Sequence, residues 1–253
     1  MQNNKIEALI ETVKILRGPN GCPWDKEQTM KSLKPRLLEE AYEVLEVMEE
    51  GGKKLKEELG DLLLQICMQS EIQNEAGLFN IYDVAESINE KLIRRHPHVF
   101  GNEEVENSEE VMVNWEEIKK TEDSHKDRES AIDGIPITLP AMQKAYKIQK
   151  KAAKTGFDWE NADGAMLKLE EEIEEVREAV REGDLSHIEE EIGDMIFAVI
   201  NIARKLKVDP EEALNRTIKK FDKRFRYIEK KTKIKNADLQ KMEKLWQEAK
   251  NEA

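Results

Sequence analysis

Residues Glu57-Glu58-Leu59-Gly60-Asp61-Leu62-Leu63-Leu64-Gln65-Ile66-Cys67-Met68-Gln69 decide how this chain reads. They lie in a helix predicted from about Leu55 to Ile72. Leu59, Leu62, Leu63, Leu64, Ile66, Cys67 and Met68 place apolar groups nearly all round it. A helix of that kind is expected to be central and buried. Its polar exceptions, Glu58, Asp61, Gln65 and Gln69, fall on one face. An unpaired carboxylate on a buried helix is strongly disfavoured, so Glu58 and Asp61 need a partner or a task.

Working outward, the same arrangement occurs twice. Glu57-Glu58-Leu59-Gly60-Asp61 is matched by Glu190-Glu191-Ile192-Gly193-Asp194. Glu39-Glu40-Ala41-Tyr42-Glu43 is matched by Glu171-Glu172-Ile173-Glu174-Glu175. Gly21-Cys22-Pro23-Trp24 parallels Gly156-Phe157-Asp158-Trp159. Downstream, Lys91, Arg94 and Arg95 parallel Lys220, Lys223 and Arg224, and Trp115 parallels Trp246. Blocks recurring in one order imply an internal duplication. The expected organisation is a domain over 1–120, a polar linker over 121–137 ending near Gly134 and Pro136, and a second domain over 138–253.

Each half reads as helices. Leu38, Ala41, Leu45 and Met48 form a stripe spaced by three and four residues, and Gly51-Gly52 is expected to stop that helix. In the second half Met195, Ile196, Phe197, Val199 and Ile200 surround the central helix, while Glu191, Asp194 and Asn201 share a face. The predicted fold class is all-α, with two tandem domains of four-helix-bundle type. A central helix that is apolar on most sides offers more surface than a few short neighbours cover, which points to a homodimer.

The composition agrees. The chain has 253 residues, of which 38% are charged, with only 12 Gly and 7 Pro. Few breakers and many charges favour helices. The net charge of −13 makes the protein a poor binder of nucleic acid polymers or anionic membranes. No apolar run approaches the ~20 residues of a membrane helix, and the start leads into no signal-peptide core. Cys22 and Cys67 form no CxxC pair and no disulfide framework, which fits a reducing, cytoplasmic setting.

Most acidic residues, among them Glu46, Glu49, Glu50, Glu178 and Glu182, read as a solvated face. Glu40 differs, because it borders an apolar stripe and has Glu43 as its i+3 neighbour. Two packed helices would gather Glu40, Glu43, Glu58 and Asp61; the second half would gather Glu172, Glu175, Glu191 and Asp194. Clustered carboxylates need protons or a cation, and an all-oxygen acidic set suits Mg²⁺ or Mn²⁺. Zinc is disfavoured because no Cys or His joins the set, and the Glu-x-x-His pairs of a di-iron bundle are absent from the sequence. A salt-bridge network with Lys91, Arg94, Arg95 and their counterparts is the alternative use of the charges.

The triplets Lys91/Arg94/Arg95 and Lys220/Lys223/Arg224 read either as solvated faces or as phosphate ligands beside a metal. Metal plus Arg and Lys on an acidic protein suggests a small polyphosphate. There is no Gly-x-x-x-x-Gly-Lys-Ser/Thr loop. His96 and His98 read as loop or packing residues. Trp115 and Trp246 read as packing residues, with base stacking as the sharper reading.

The pattern Glu-Glu-x-x-Glu, a short gap, then Glu-x-x-Asp resembles the MazG-type nucleoside triphosphate pyrophosphohydrolases. So does the run from Gly21-Cys22-Pro23-Trp24 through Leu37-Leu38-Glu39-Glu40-Ala41-Tyr42-Glu43. Leu139-Pro140-Ala141 through Gly156-Phe157-Asp158-Trp159 resembles the opening of the second repeat in two-domain members. The resemblance implies an all-α fold, a homodimer whose protomers complete each bundle, and Mg²⁺ dependence. It implies hydrolysis of NTP or dNTP to the monophosphate and pyrophosphate, as in housecleaning of nucleotide pools. It places the metal on Glu172, Glu175, Glu191 and Asp194, matched by Glu40, Glu43, Glu58 and Asp61. Lys168, Glu171, Lys220, Arg224 and Trp246 would hold the nucleotide, with Glu190, Asn201 and Lys223 beside them. Arg36, Glu39, Lys91, Arg94 and Arg95 are the first-half counterparts. Met68 stands where the second half has Asn201. A nucleotide-binding or regulatory helical interaction protein without turnover is the alternative class.

Overall fold

The computed structural model describes residues 4–122, 129–232 and 238–251. The middle of the expected linker, 123–128, lies outside the described residues. Among them every regular element is a helix and none is a strand. The chain divides into two compact units, Met1–Glu122 and Asp123–Ala253. No described helix is long and apolar enough to cross a membrane.

The first unit contains α1 (Lys5–Arg17), α2 (Pro23–Glu27), α3 (Met30–Val47), α4 (Gly52–Glu75), α5 (Ile81–Arg95), α6 (Pro97–Phe100) and α7 (Ser108–Thr121). Helix α4 packs on α1, α3 and α5, and α7 packs on α5. Local chemistry sets the helix starts. Thr29 and Asn80 each form reciprocal caps, with Ser32 and Asp83 respectively, satisfying donors that a helix start leaves free. Gly21 lies in the turn from α1 to α2, where a Cβ would sit 2.1 Å from the Leu16 carbonyl oxygen. The core is Ile10, Val13, Leu33, Cys67 and Met68, flanked by Leu63, Leu64 and Ile72.

The second unit contains α8 (Ala141–Ala153), α9 (Ala162–Glu182), α10 (Leu185–Lys205), α11 (Pro210–Lys231) and α12 (Leu239–Asn251). Helix α10 packs on α8, α9 and α11, and α12 packs on α11. The order therefore matches the first unit: α8 corresponds to α1, α9 to α3, α10 to α4, α11 to α5 and α12 to α7. Asn161, Asp184 and Asp209 cap α9, α10 and α11 with their side-chain oxygens.

Four expectations change. The stripe expected on α3 is not covered: Leu38, Leu45 and Met48 are exposed, and the helix buries Leu33 and Val44, because within the unit α3 packs mainly on α4. Helix α3 ends at Val47, before the Gly pair; Gly51 and Gly52 instead take φ of 64° and 68° in the turn into α4, which starts at Gly52 rather than near Leu55. The central helices are not buried all round. Leu59 and Ile66 on α4, and Ile192, Ile196, Phe197 and Val199 on α10, are exposed, because the neighbours within a unit cover only part of each cylinder. Gln65, expected on the polar face, is buried, and its Oε1 has no hydrogen-bond partner among the described residues.

Candidate active site

In each unit the acidic groups come from a helical hairpin. Residues three apart on one helix share a face, so α9 presents Glu172 and Glu175 together, and α10 brings Glu191 against them. Ligand oxygens of Glu172, Glu175 and Glu191 all lie within 4.8 Å of one another. In the first unit Glu40, Glu43 and Glu58 form the same trio within the same limit. The fourth expected member stands outside the trio in both units: Asp61 and Asp194 are exposed on the helix surface. The charge of Asp61 nevertheless acts on Glu40 and Glu58.

The trios are electrostatically crowded. Burial, then the charges of Asp61 and Glu43, pushes the Glu40 carboxyl up. Desolvation and the charges of Glu43 and Asp61 push Glu58 up. Glu175 is pushed up mainly by a hydrogen bond shared with Glu172, and then by desolvation. A divalent cation bound by the trio would offset this repulsion. The donor set contains only carboxylate oxygens, which fits a hard ion such as Mg²⁺ or Mn²⁺.

The surroundings differ between the units. Lys168 places Nζ 2.7 Å from Glu172 Oε1 and 2.7 Å from Glu171 Oε1, while Glu172 itself is only 4% exposed. These two carboxylates raise the Lys168 pKa. Arg36, its counterpart, lies instead over the Trp24 ring at 4.7 Å. Glu39 and Glu190 are exposed next to the trios in sequence.

His187 was not foreseen. Its Nε2 lies 3.1 Å from Glu191 Oε1 and its Nδ1 3.0 Å from Glu182 Oε2. A carboxylate at each ring nitrogen, Glu182 first, favours the protonated ring. A histidine therefore joins the surroundings of the set, although the trio itself stays all carboxylate. The i, i+4 spacing of His187 and Glu191 on one helix was the available signal. Glu182, read as merely solvated, is tied into this contact.

The basic triplets also diverge. Arg94 and Arg95 pair with Glu122, so in the structure their carboxylate partner is not the acidic trio. Lys91 is half-buried, and Lys220 and Lys223 are exposed on α11. The guanidinium of Arg95 lies 5.5 Å from the Trp115 ring, and that of Arg224 lies 5.5 Å from Trp246. Trp246 also meets Phe221 at 5.2 Å. His96 packs edge-on against Trp115 at 4.9 Å and its Nδ1 reaches the Leu92 carbonyl, in line with the packing reading. Asn201 does not stand free beside the carboxylates: its Oδ1 accepts from Arg204, which also grips Asp158. Its counterpart Met68 lies in the apolar core of the first unit.

Comparison with known proteins agrees with this geometry. The MazG nucleotide pyrophosphohydrolase domain matches residues 28–100 and 161–228, which hold the two acidic hairpins. A nucleoside triphosphate pyrophosphohydrolase of Escherichia coli K12 is 43% identical over 258 residues, covering 98% of each chain. A nucleoside triphosphate pyrophosphohydrolase/pyrophosphatase MazG of Thermotoga maritima is 41% identical over 250 residues, covering 96% of this chain and 95% of its own. YabN of Bacillus subtilis is 47% identical over 245 residues, covering 94% of this chain and 50% of its own. With both acidic hairpins inside the matched segments and near full-length identity above 40%, this chain belongs to the MazG nucleotide pyrophosphohydrolase family.

Proposed function

We propose that the protein hydrolyses nucleoside triphosphates, ribo or deoxy, between the α and β phosphorus atoms, releasing the monophosphate and pyrophosphate. The observation that carries this reading is the carboxylate trio Glu172/Glu175/Glu191 with Lys168 on its edge. Full-length relatives named for that activity support it. Glu172, Glu175 and Glu191, with Asp194 one turn further on, would hold Mg²⁺ or Mn²⁺. The bound ion supplies charge neutralisation at the phosphate oxygens.

The remaining work falls to the chain's own groups. Water attacks the α-phosphorus and the pyrophosphate oxygen leaves with its electron pair. A carboxylate of the acidic set takes the proton of that water. Lys168 and Glu171 orient the nucleotide at the edge of the trio. Lys220, Lys223 and Arg224 on α11 hold the leaving pyrophosphate, Arg224 through a planar fork that fits two phosphate oxygens. Trp246 offers a face for a base. The first half, 1–120, carries a second set on Glu40, Glu43, Glu58 and Asp61, and 121–137 links it to the second, 138–253. The work is a cytoplasmic housecleaning of nucleotide pools.

The working unit in this reading is a homodimer, in which a second copy covers the exposed apolar residues of α4 and α10. Light scattering should give about twice the 29.4 kDa of one chain, and a particle of one chain's mass across a wide concentration range refutes the dimer.

The deciding experiment incubates pure protein with each NTP and dNTP. Monophosphate and pyrophosphate are expected with Mg²⁺, none after EDTA, and recovery with Mg²⁺ or Mn²⁺. Turnover undiminished without metal, or release of orthophosphate, refutes the reading.

A further inference from the structure

The two units each place an arginine guanidinium 5.5 Å from a tryptophan ring and then differ in what the arginine holds. Arg224 lies 5.5 Å from the Trp246 ring, yet its Nε is buried and has no hydrogen-bond partner among the described residues. Arg95 lies 5.5 Å from Trp115, and its Nε donates to Glu122 Oε1 at 2.9 Å. Arg95 Nη2 donates to the other oxygen, Glu122 Oε2, at 2.5 Å, completing a bidentate pair. Arg94 Nη2 adds a third bond to Oε1 at 2.9 Å. Glu122 is thus a carboxylate seated in a two-arginine fork, with its side chain 9% exposed.

Carboxylate and phosphate present the same paired oxygens to a guanidinium. Glu122 follows the last residue of α7, so it can leave the fork without unwinding that helix. We propose that the Arg94–Arg95 fork is an anion site for a phosphate or pyrophosphate group, and that Glu122 is its built-in occupant, excluding such groups from the first unit. The proposal deepens the reading of the basic triplets as polyphosphate ligands and rests on it. An intramolecular ligand on a short tether acts at an effective concentration of order mM. A free anion must outcompete that, so the fork discriminates against dilute phosphate compounds as the protein stands.

The test is calorimetric titration of inorganic pyrophosphate into the full chain in EDTA, where metal-bound modes are silent. Glu122→Gln keeps the side-chain shape and removes the competing charge. It should gain a pyrophosphate-binding event, or tighten one about tenfold, relative to the unaltered protein. The gain should vanish in Glu122→Gln/Arg95→Gln and persist in Glu122→Gln/Arg224→Gln. Thermal melts of each variant establish that the first unit is folded at the titration temperature. Binding identical to the unaltered protein in folded Glu122→Gln overturns the proposal and leaves Glu122 a clamp between α5 and α7. A gain that survives Arg95→Gln also overturns it, because the anion then sits elsewhere. Failure of the hydrolysis reading shows separately, as absence of monophosphate from the unaltered protein with Mg²⁺.

Discussion

Set side by side, the two units share a scaffold and differ in where their cations point. In the second, Lys168 reaches the buried Glu172 and His187 reaches Glu191, so a cation and an imidazole border the carboxylates on two helices. In the first, the corresponding Arg36 covers Trp24, and Lys54, at the place of His187, pairs with Glu50 at 3.2 Å. The first trio thus keeps its like charges with less local compensation. Its arginines Arg94 and Arg95 are engaged by Glu122, whereas the Arg224 Nε has no hydrogen-bond partner among the described residues. Duplication preserves packing first; a site depends on a few long side chains, and each can turn to another partner at small cost.

The sharpest way to break this comparison is to remove one charge from each trio. Glu175→Gln should lower kcat/KM at least about a hundredfold, the upper end of the loss seen when a mere supporting contact to a metal is cut. Glu43→Gln should lower it several-fold. Steady-state kinetics of both variants and the double variant on a panel of NTPs and dNTPs check this. If Glu43→Gln is the more damaging on every substrate, the ranking of the units is reversed.

A smaller effect should come from the groups bordering the trios. His187→Gln removes the ring that holds one oxygen of Glu191, and the apparent Mn²⁺ affinity should fall roughly tenfold. Lys54→Met should leave it within about twofold, since Lys54 pairs with Glu50 at 3.2 Å and not with the trio. Mn²⁺ titration followed by electron spin resonance reads both. Equal losses would mean that the two borders are equivalent.

The smallest expected difference is in acid stability. Hydrogen bonds from Arg95 hold Glu122 from an ordinary 4.5 down to about 2, and hydrogen bonds from Arg204 hold Asp158 from 3.8 down to about 2. Both folded values are depressed. Each group's contribution is therefore fully present above its unfolded value and is lost as pH falls toward 2. The first unit should begin to weaken nearer pH 4.5, the second nearer pH 3.8. Glu122→Gln should remove the dependence in the first unit only, and Asp158→Asn in the second only. Acid titrations followed by tryptophan fluorescence and near-ultraviolet circular dichroism test this. A Glu122→Gln curve that matches the unaltered protein's between pH 4.5 and 2 breaks the assignment.

Helix content, the duplication and the carboxylate pairs were legible in the sequence because they are local. Apolar periodicity marks a helix, though not which apolar residues the unit covers: Leu38, Leu45 and Met48 of the α3 stripe are exposed. Two glutamates three apart share a face wherever that helix packs. The sequence could therefore nominate Glu40, Glu43, Glu172 and Glu175 with their partners Glu58 and Glu191. It could not say that Asp61 and Asp194 would fall outside the tight trios, because that depends on how α4 and α10 rotate against their neighbours. Nor could it place Gln65, which is polar yet buried. Tertiary structure alone decided that Lys168 turns toward Glu172 while Arg36 turns toward Trp24. It alone brought Glu122 into the grip of arginines 27 and 28 residues earlier. Long charged side chains have many rotamers of similar energy, and which one is occupied depends on groups that only the folded chain brings within reach.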